Sequence, residues 1–263
     1  GQWEQNKVDF QLSAGRITAL LKGSIDLPRQ EYDLQITSSL PLLELTTLFA
    51  LPEIRQDLEI TGGFNIDAQL QGPPFQWGAT ISEESLTVKG TLFNAQNIRN
   101  GGLSYRPINS ERSRLLGPAA SNWVGLHQMG WLPAAAVAAE DSQFWNHKGI
   151  NIEGIQIALD AVANGEKRPP GGSSITQQLA KNIFVNNKRT LKRKLQELLY
   201  TLALERYLSK NEIIVLYLNA VEFGPGIYGV KEAANAYFLK SPQALSIVEA
   251  AFLASLLPAP NTG

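Results

Sequence analysis

Two carboxylates, Glu140 and Glu197, bracket the run Gly171-Gly172-Ser173-Ser174-Ile175-Thr176-Gln177-Gln178 and a stretch rich in cations. Residues 167–196 contain Lys167, Arg168, Lys181, Lys188, Arg189, Lys192, Arg193 and Lys194, with no Asp or Glu among them. These residue types are the parts needed to transfer a sugar from a diphosphate donor. A carboxylate serves as general base, and a helix N-terminus offers N–H groups to an anion. The cations sit where leaving-group charge develops, and a second acid completes the set.

Each part also has a plainer reading. Glu140-Asp141 stands beside Phe144 and Trp145, where loss of water raises a carboxyl's pKa toward a base's working range. The alternative is a helix-terminal acidic pair with Gly149 as its cap. His147, with no Asp or Ser partner in sequence reach, reads as structural. Gly172-Ser173-Ser174 opens a helix and is equally an ordinary N-cap. Gln177 and Gln178 either bond sugar hydroxyls or only cap and solvate. Lys181 follows Ser174 by seven residues, two helical turns, and Arg189 falls in the loop beyond. Arg193 and Lys194 stand at i−4 and i−3 from Glu197, a spacing that can hold it ionised. A solvated basic face is the alternative for that run.

The elements that must position these groups follow from periodicity. Ala134–Trp145 is Ala-rich and favours helix. Ser174 with Gln177, Ser209 with Glu212, and Ser246 with Glu249 make capping-box spacings ahead of apolar-periodic stretches. Thr190–Leu208 puts Leu191, Leu195, Leu198, Leu199 and Leu202 on one face. The back half is therefore expected to be an all-α domain of seven or eight helices. Trp123–Leu132 is amphipathic, fit either for a bilayer surface or for a core edge.

Residues 1–106 read mainly as strands. Val8, Phe10 and Leu12 alternate with polar residues, as do Tyr32, Leu34 and Ile36, then Phe64, Ile66, Ala68 and Leu70. One short helix is expected at Pro41–Leu51. Gly62-Gly63, Gly72-Pro73-Pro74 and Gly101-Gly102 are expected turns. Segments around Gly23, Gly72 and Gly90 look like loose echoes of one strand–turn unit. The segment resembles the AsmA-like β-repeats of envelope proteins. Residues 107–117 are a polar linker, and a second domain spans 118–263. The fold class expected is α+β.

Composition agrees with two domains. Residues 1–111 hold 8 basic and 13 acidic side chains, net −5, and residues 112–263 hold 15 and 11, net +4. The basic half is suited to an anionic ligand or surface. There is no cysteine, so a disulfide framework or thiol metal site is excluded, and two histidines are too few for an ordinary zinc site. No apolar run reaches the ~18 residues of a membrane span. The chain is expected to be a fragment of something longer, cut near the C-terminal end of its second domain, with any membrane anchor elsewhere.

In order along the chain, Glu140-Asp141-x-x-Phe144-x-x-His147-x-Gly149 precedes Gly-Gly-Ser-Ser-Ile-Thr-Gln-Gln-x-x-Lys181-Asn182. Arg193-Lys194-x-x-Glu197, Tyr217-Leu218-Asn219-x-x-x-Phe223-Gly224 and Glu249-Ala250-Ala251-x-Leu253-Ala254-x-Leu256 follow. This series resembles the family 51 peptidoglycan glycosyltransferases. The resemblance implies a lysozyme-like helical fold that polymerises lipid II with inversion at the anomeric carbon. It implies Glu140 as general base toward the acceptor's 4-hydroxyl and Glu197 as the second essential carboxylate. Lys181 and Arg189 match the diphosphate-contacting positions. Asp141, Phe144, His147, Gly172, Ser173, Ser174, Thr176, Gln177, Gln178, Asn182, Arg193 and Asn219 are its other substrate-side positions. No cofactor is implied, and Mg or Mn is left open. The partners implied are lipid II, a lipid-linked glycan chain, the membrane surface and other cell-wall synthesis proteins. The place implied is the periplasmic face of the inner membrane. Two departures are mild: Ser174 replaces a common Thr, and Gln196 stands where many members have Lys.

Three rival readings remain at this level. A glycan-cutting enzyme would use a Glu acid but has no need of Lys181, Arg189 and the acid-free basic stretch. A non-catalytic glycan- or lipid-binding module would not need every one of these side chains. Nucleic-acid binding lacks any accompanying signature.

Overall fold

A computed structural model of the chain describes residues 6–51, 57–167, 171–185 and 190–258. They form two compact units. One comprises the residues up to Val88 together with Ile152–Gly172, and the other Lys89–Asn151 with the residues from Ser173 onward. The architecture is α+β.

The first unit is built on a five-stranded sheet in the order β1-β2-β3-β4-β5. Its strands are β1 (Asn6–Ala14), β2 (Ile17–Asp26), β3 (Glu31–Pro41), β4 (Glu59–Gly72) and β5 (Gln76–Lys89). Strand alternation works as the sequence predicts. The antiparallel register sets Phe10 opposite Leu21, Leu21 opposite Ile36, and Ile36 opposite Ala68, so the apolar positions share one face. Helix α1 (Leu42–Leu48) falls inside the expected helical stretch and buries Leu42 and Thr46.

Gly62-Gly63 is not a turn; it lies inside β4. Gly62 has φ +78°, and a Cβ there would sit 1.9 Å from the carbonyl oxygen of Glu84. Close backbone approach within a sheet, not chain reversal, is what requires glycine at this point.

Helix α4 (Ile152–Ala163) belongs to this unit. The Gln156 amide donates to the Ala79 carbonyl at 2.7 Å and accepts from the Ile81 N–H at 3.2 Å. One side chain thus pairs the outer backbone of β5, a sheet edge that would otherwise be open.

The second unit is mainly helical. Its elements are α2 (Ala95–Asn100), α3 (Leu132–Glu140), α5 (Ile175–Phe184), α6 (Leu191–Tyr207), α7 (Lys210–Ala220), α8 (Val230–Phe238) and α9 (Ile247–Leu256). Two short strand pairs accompany them, β6 (Leu103–Tyr105) with β7 (Arg114–Leu116), and β8 (Glu222–Gly224) with β9 (Ile227–Tyr228). The back half is therefore not purely helical, and the polar stretch after Pro107 supplies β7.

Helix α7 is buried from Ile213 through Ala220 without a polar face, as expected of a helix packed on all sides. Helices α5 and α3 pack against it, α5 also against α6, and α3 also against α9. Met129, Leu132, Ile175, Leu179, Leu204, Ile213, Tyr217 and Phe223 fill the core between them. Of the amphipathic stretch before α3, Val124, Met129 and Leu132 are core residues, whereas Trp131 is exposed.

Candidate active site

The expected helix at Ala134–Trp145 stops early, at Glu140. Asp141 leaves helical geometry (φ −162°, ψ 75°), and its carboxylate turns to three partners. His147 Nε2 lies 3.0 Å from both oxygens, Asn151 Nδ2 donates at 3.3 Å, and the Ile175 N–H donates at 3.0 Å. That last bond places a negative charge on the first turn of α5, where the helix dipole favours it. The partner His147 lacked in sequence is Asp141. Its Nδ1 accepts from the Gly149 N–H at 3.0 Å, which fixes the ring with Nε2 as the donor to Asp141.

Gly149 has φ +95°, and a Cβ would stand 2.7 Å from Thr201 Cγ2. Its carbonyl accepts from the Ser174 hydroxyl, so the end of the α3 motif is tied directly to the start of α5. Ser174 and Gln177 form the capping box their spacing predicts: Ser174 Oγ accepts from the Gln177 N–H at 3.1 Å, and Gln177 Oε1 accepts from the Ser174 N–H at 3.0 Å. Gln177 is thereby buried and makes the capping bond that one of its two sequence readings expects.

Gln178, one residue on, faces elsewhere. Its Nε2 donates to Glu140 Oε2 at 2.7 Å, while its Oε1 accepts from the Tyr217 hydroxyl at 3.0 Å. The other carboxylate oxygen of Glu140 is buried and has no hydrogen-bond partner among the described residues. Burial is the main force raising the Glu140 pKa; the Gln178 bond opposes it, and the Asp141 charge adds to it. Lys181 and Asn182 lie three and four residues beyond Gln178, hence on the same side of α5, and both are half-buried.

A second carboxylate centre sits on α6. Glu197 is 2% exposed. Lys194 Nζ reaches its Oε1 at 2.5 Å and Arg193 Nη1 its Oε2 at 3.7 Å, the pairing that the i−3 and i−4 spacing predicts. Lys194 Nζ also lies 3.5 Å from Ser173 Oγ, linking the segment before α5 to this centre. Nε and Nη1 of Arg193 are buried with no hydrogen-bond partner among the described residues. Donors of a permanent cation left in that state are suited to an anion.

Other sequence candidates have different partners. Thr176 donates its hydroxyl to Glu205, which also pairs with Lys210 at 2.7 Å. Lys210 in turn lies 4.4 Å from the centre of the Phe144 ring. Phe144 is fully buried and acts as packing. Asn219 holds the backbone of Val124 at both its N–H and carbonyl, 2.9 Å each, and bonds the Val215 carbonyl at 2.8 Å. Gly172 groups with the sheet unit, where a Cβ would lie 3.4 Å from Ile155 Cα. Arg189 lies outside the described residues.

One side chain at the site had no role assigned from sequence. Tyr217 was visible in its motif, and the signal was there: a tyrosine in an otherwise apolar helix must find a partner for its hydroxyl. Lys194 was visible only as support for Glu197, and Ser173 gives it a second contact.

Fold and site together define an α+β protein with a half-buried carboxylate and a cation-flanked second acid facing one capped helix. The chain belongs to the transglycosylase family, whose model matches residues 112–263. It is similar to proteins named biosynthetic peptidoglycan transglycosylase. That of Acinetobacter baylyi is 49% identical over 127 residues, covering 48% of this chain and 57% of the relative. That of Nitrosomonas eutropha is 41% identical over 148 residues, covering 55% and 61%. That of Methylobacillus flagellatus is 44% identical over 130 residues, covering 49% and 57%. The chain thus spans less than two thirds of the length of these curated relatives.

Proposed function

We propose that this chain carries a peptidoglycan glycosyltransferase that polymerises lipid II. The observation that carries the reading is Glu140: a carboxylate with burial-raised basicity, held through one oxygen by Gln178, its other oxygen buried and without a hydrogen-bond partner among the described residues. An acceptor hydroxyl placed at that second oxygen would satisfy it.

In the reaction, the acceptor's 4-hydroxyl oxygen attacks the donor's anomeric carbon. A new carbon–oxygen bond forms as the bond from that carbon to the diphosphate oxygen breaks, with inversion. The electron pair leaves with the diphosphate, and the hydroxyl proton passes to Glu140. Leaving-group charge calls for cations, not a strong acid. Arg193, Lys181 and Arg189 fill that role, and Glu197 orients the cationic cluster while being neutralised by it. Asp141 and His147 serve by holding α5 in place. Asn219 serves by holding the Val124 backbone and Phe144 by packing, and Gly172, Ser173, Ser174, Thr176, Gln177 and Asn182 shape the helix entrance and its wall.

The helical unit is read as lysozyme-like, acting at the periplasmic face of the inner membrane with lipid II and a lipid-linked glycan as substrates. Residues 1–106, 107–117 and 118–263 are read as the β-segment, linker and catalytic domain of the full protein. No cofactor is required by this chemistry, and Mg or Mn is the ion to titrate. The test is polymerisation of labelled lipid II in detergent or liposomes, wild type against Glu140→Gln. Ladder products lost in the variant support the reading. Shortening of pre-formed glycan strands would hand the site to a hydrolase.

A further inference from the structure

A carboxylate can only accept hydrogen bonds, whereas a Gln amide can present either its N–H groups or its carbonyl by turning over. Which way Gln178 stands therefore decides whether it favours the ionised or the protonated form of Glu140. The Tyr217 hydroxyl contacts the opposite end of the same amide at 3.0 Å. Tyr217 is completely buried on α7, so its hydrogen requires an acceptor close by, and among the described residues the Gln178 carbonyl accepts it. If the amide turned over, two unfavourable pairings would appear together. The tyrosine hydrogen would face N–H groups, and the Gln178 carbonyl would face a carboxylate.

We infer that Tyr217 is a positioning residue for this site, its hydroxyl fixing the orientation of the Gln178 amide so that N–H, not carbonyl, faces Glu140. The chain of donors runs one way, from Tyr217 through Gln178 to Glu140, and such chains strengthen each member. It keeps Glu140 ionised and aimed while its second oxygen stays free for the acceptor proton. Burial also raises the Tyr217 pKa well above its ordinary value, so the hydroxyl keeps its proton at any working pH. The titratable groups acting on Glu140 are Asp141 from its own segment and Tyr217 from α7. Helix α5 carries Lys181 three residues beyond Gln178, and α9, packed on α3, carries Glu249 in its first turn, tied to Lys240 at 2.7 Å.

The inference rests on Glu140 being the general base of the proposed function, so its test has one readout that needs no substrate. The carboxyl carbon of Glu140 is titrated by NMR, its signal identified by loss in Glu140→Gln. In Tyr217→Phe the ring stays and the hydroxyl goes; the Glu140 midpoint moves up in pH by about half a unit to one unit. In polymerisation assays the acid limb of the kcat/KM profile moves the same way, and kcat falls about threefold to tenfold with KM little changed. Because Tyr217 acts through Gln178, Tyr217→Phe has no further effect in a Gln178→Ala background; independent packing losses would add instead. An unmoved midpoint in Tyr217→Phe, or additive effects in the double variant, overturns the inference. If Tyr217→Phe does not fold, Gln178→Ala carries the titration alone: an unmoved midpoint there overturns it equally. A shifted midpoint in Tyr217→Phe, together with a wild-type chain that makes no polymer, leaves the positioning role standing and sinks the reading of function.

Discussion

At Glu140, burial disfavours the charged carboxylate, one bond from Gln178 favours it, and Asp141 next door disfavours it again. Raised basicity has a cost in stability whose sign is fixed by linkage. A carboxyl with a higher pKa in the folded state binds its proton more tightly there than in the unfolded chain. Stability therefore falls as pH rises from the ordinary carboxylate range through the raised folded value. Glu140→Gln removes that dependence. Thermal melts at pH 4 and pH 8 are expected to show the variant gaining on wild type as pH rises, by roughly 1–3 °C at the higher pH. A gain that shrinks with pH would show that burial is not what sets the Glu140 pKa.

Among elements, α5 is the one on which both carboxylate centres depend. Its N-terminus is secured by its own capping box and, from across the fold, by the Asp141 carboxylate. Ser174→Ala removes a cap and the bond to the Gly149 carbonyl, and is expected to cost about 1–2 kcal/mol in urea unfolding; Ser174→Thr, which keeps a hydroxyl, is expected to cost less. The capping boxes, the α6 ion pairs and the strand alternation were all legible in sequence because each is set by residues two to four positions apart. The relay from Tyr217 to Glu140 was not. Gln178 lies 38 residues from Glu140 and 39 from Tyr217, and only packing of α3, α5 and α7 brings them together. Helix α3 was read too long for a related reason: alanines favour helix, but Asp141 bonds more favourably to the α5 N-terminus than it would by continuing the helix. Gly62-Gly63 was misread because a glycine required by a crowded strand and one required by a turn look alike in sequence.

For the molecule as a whole, acid is the sensitive direction. Glu212, at the start of α7, is pulled down to about 2, chiefly by the hydrogen bond from Arg99 on α2. Glu249, at the start of α9, is also pulled down to about 2, chiefly by Lys240. Both pKa values are depressed, so their contribution is present above the ordinary carboxylate range and is lost as pH falls from about 4.5 toward 2. Both groups are solvent-accessible, so the effect is a shallow one and weakens with salt. Melting followed between pH 5 and pH 2 is expected to lose stability progressively. Arg99→Gln should flatten that slope, and an unchanged slope would remove the Arg99–Glu212 pair from the account.

The clasp made by Asp141 has a bearing on how this chain can vary. Its bond to the Ile175 N–H closes an excursion of 34 residues at the base. The placement of Glu140 against α5 is thus secured where the excursion begins and ends, and the exposed residues 164–167 just beyond α4 have latitude in length. Closing a longer loop grows costlier only logarithmically, about 0.6 kcal/mol for each doubling. Insertions between Glu166 and Lys167 are therefore expected to be tolerated with Glu140 undisturbed, and Asp141→Asn is the change that would make the site sensitive to them.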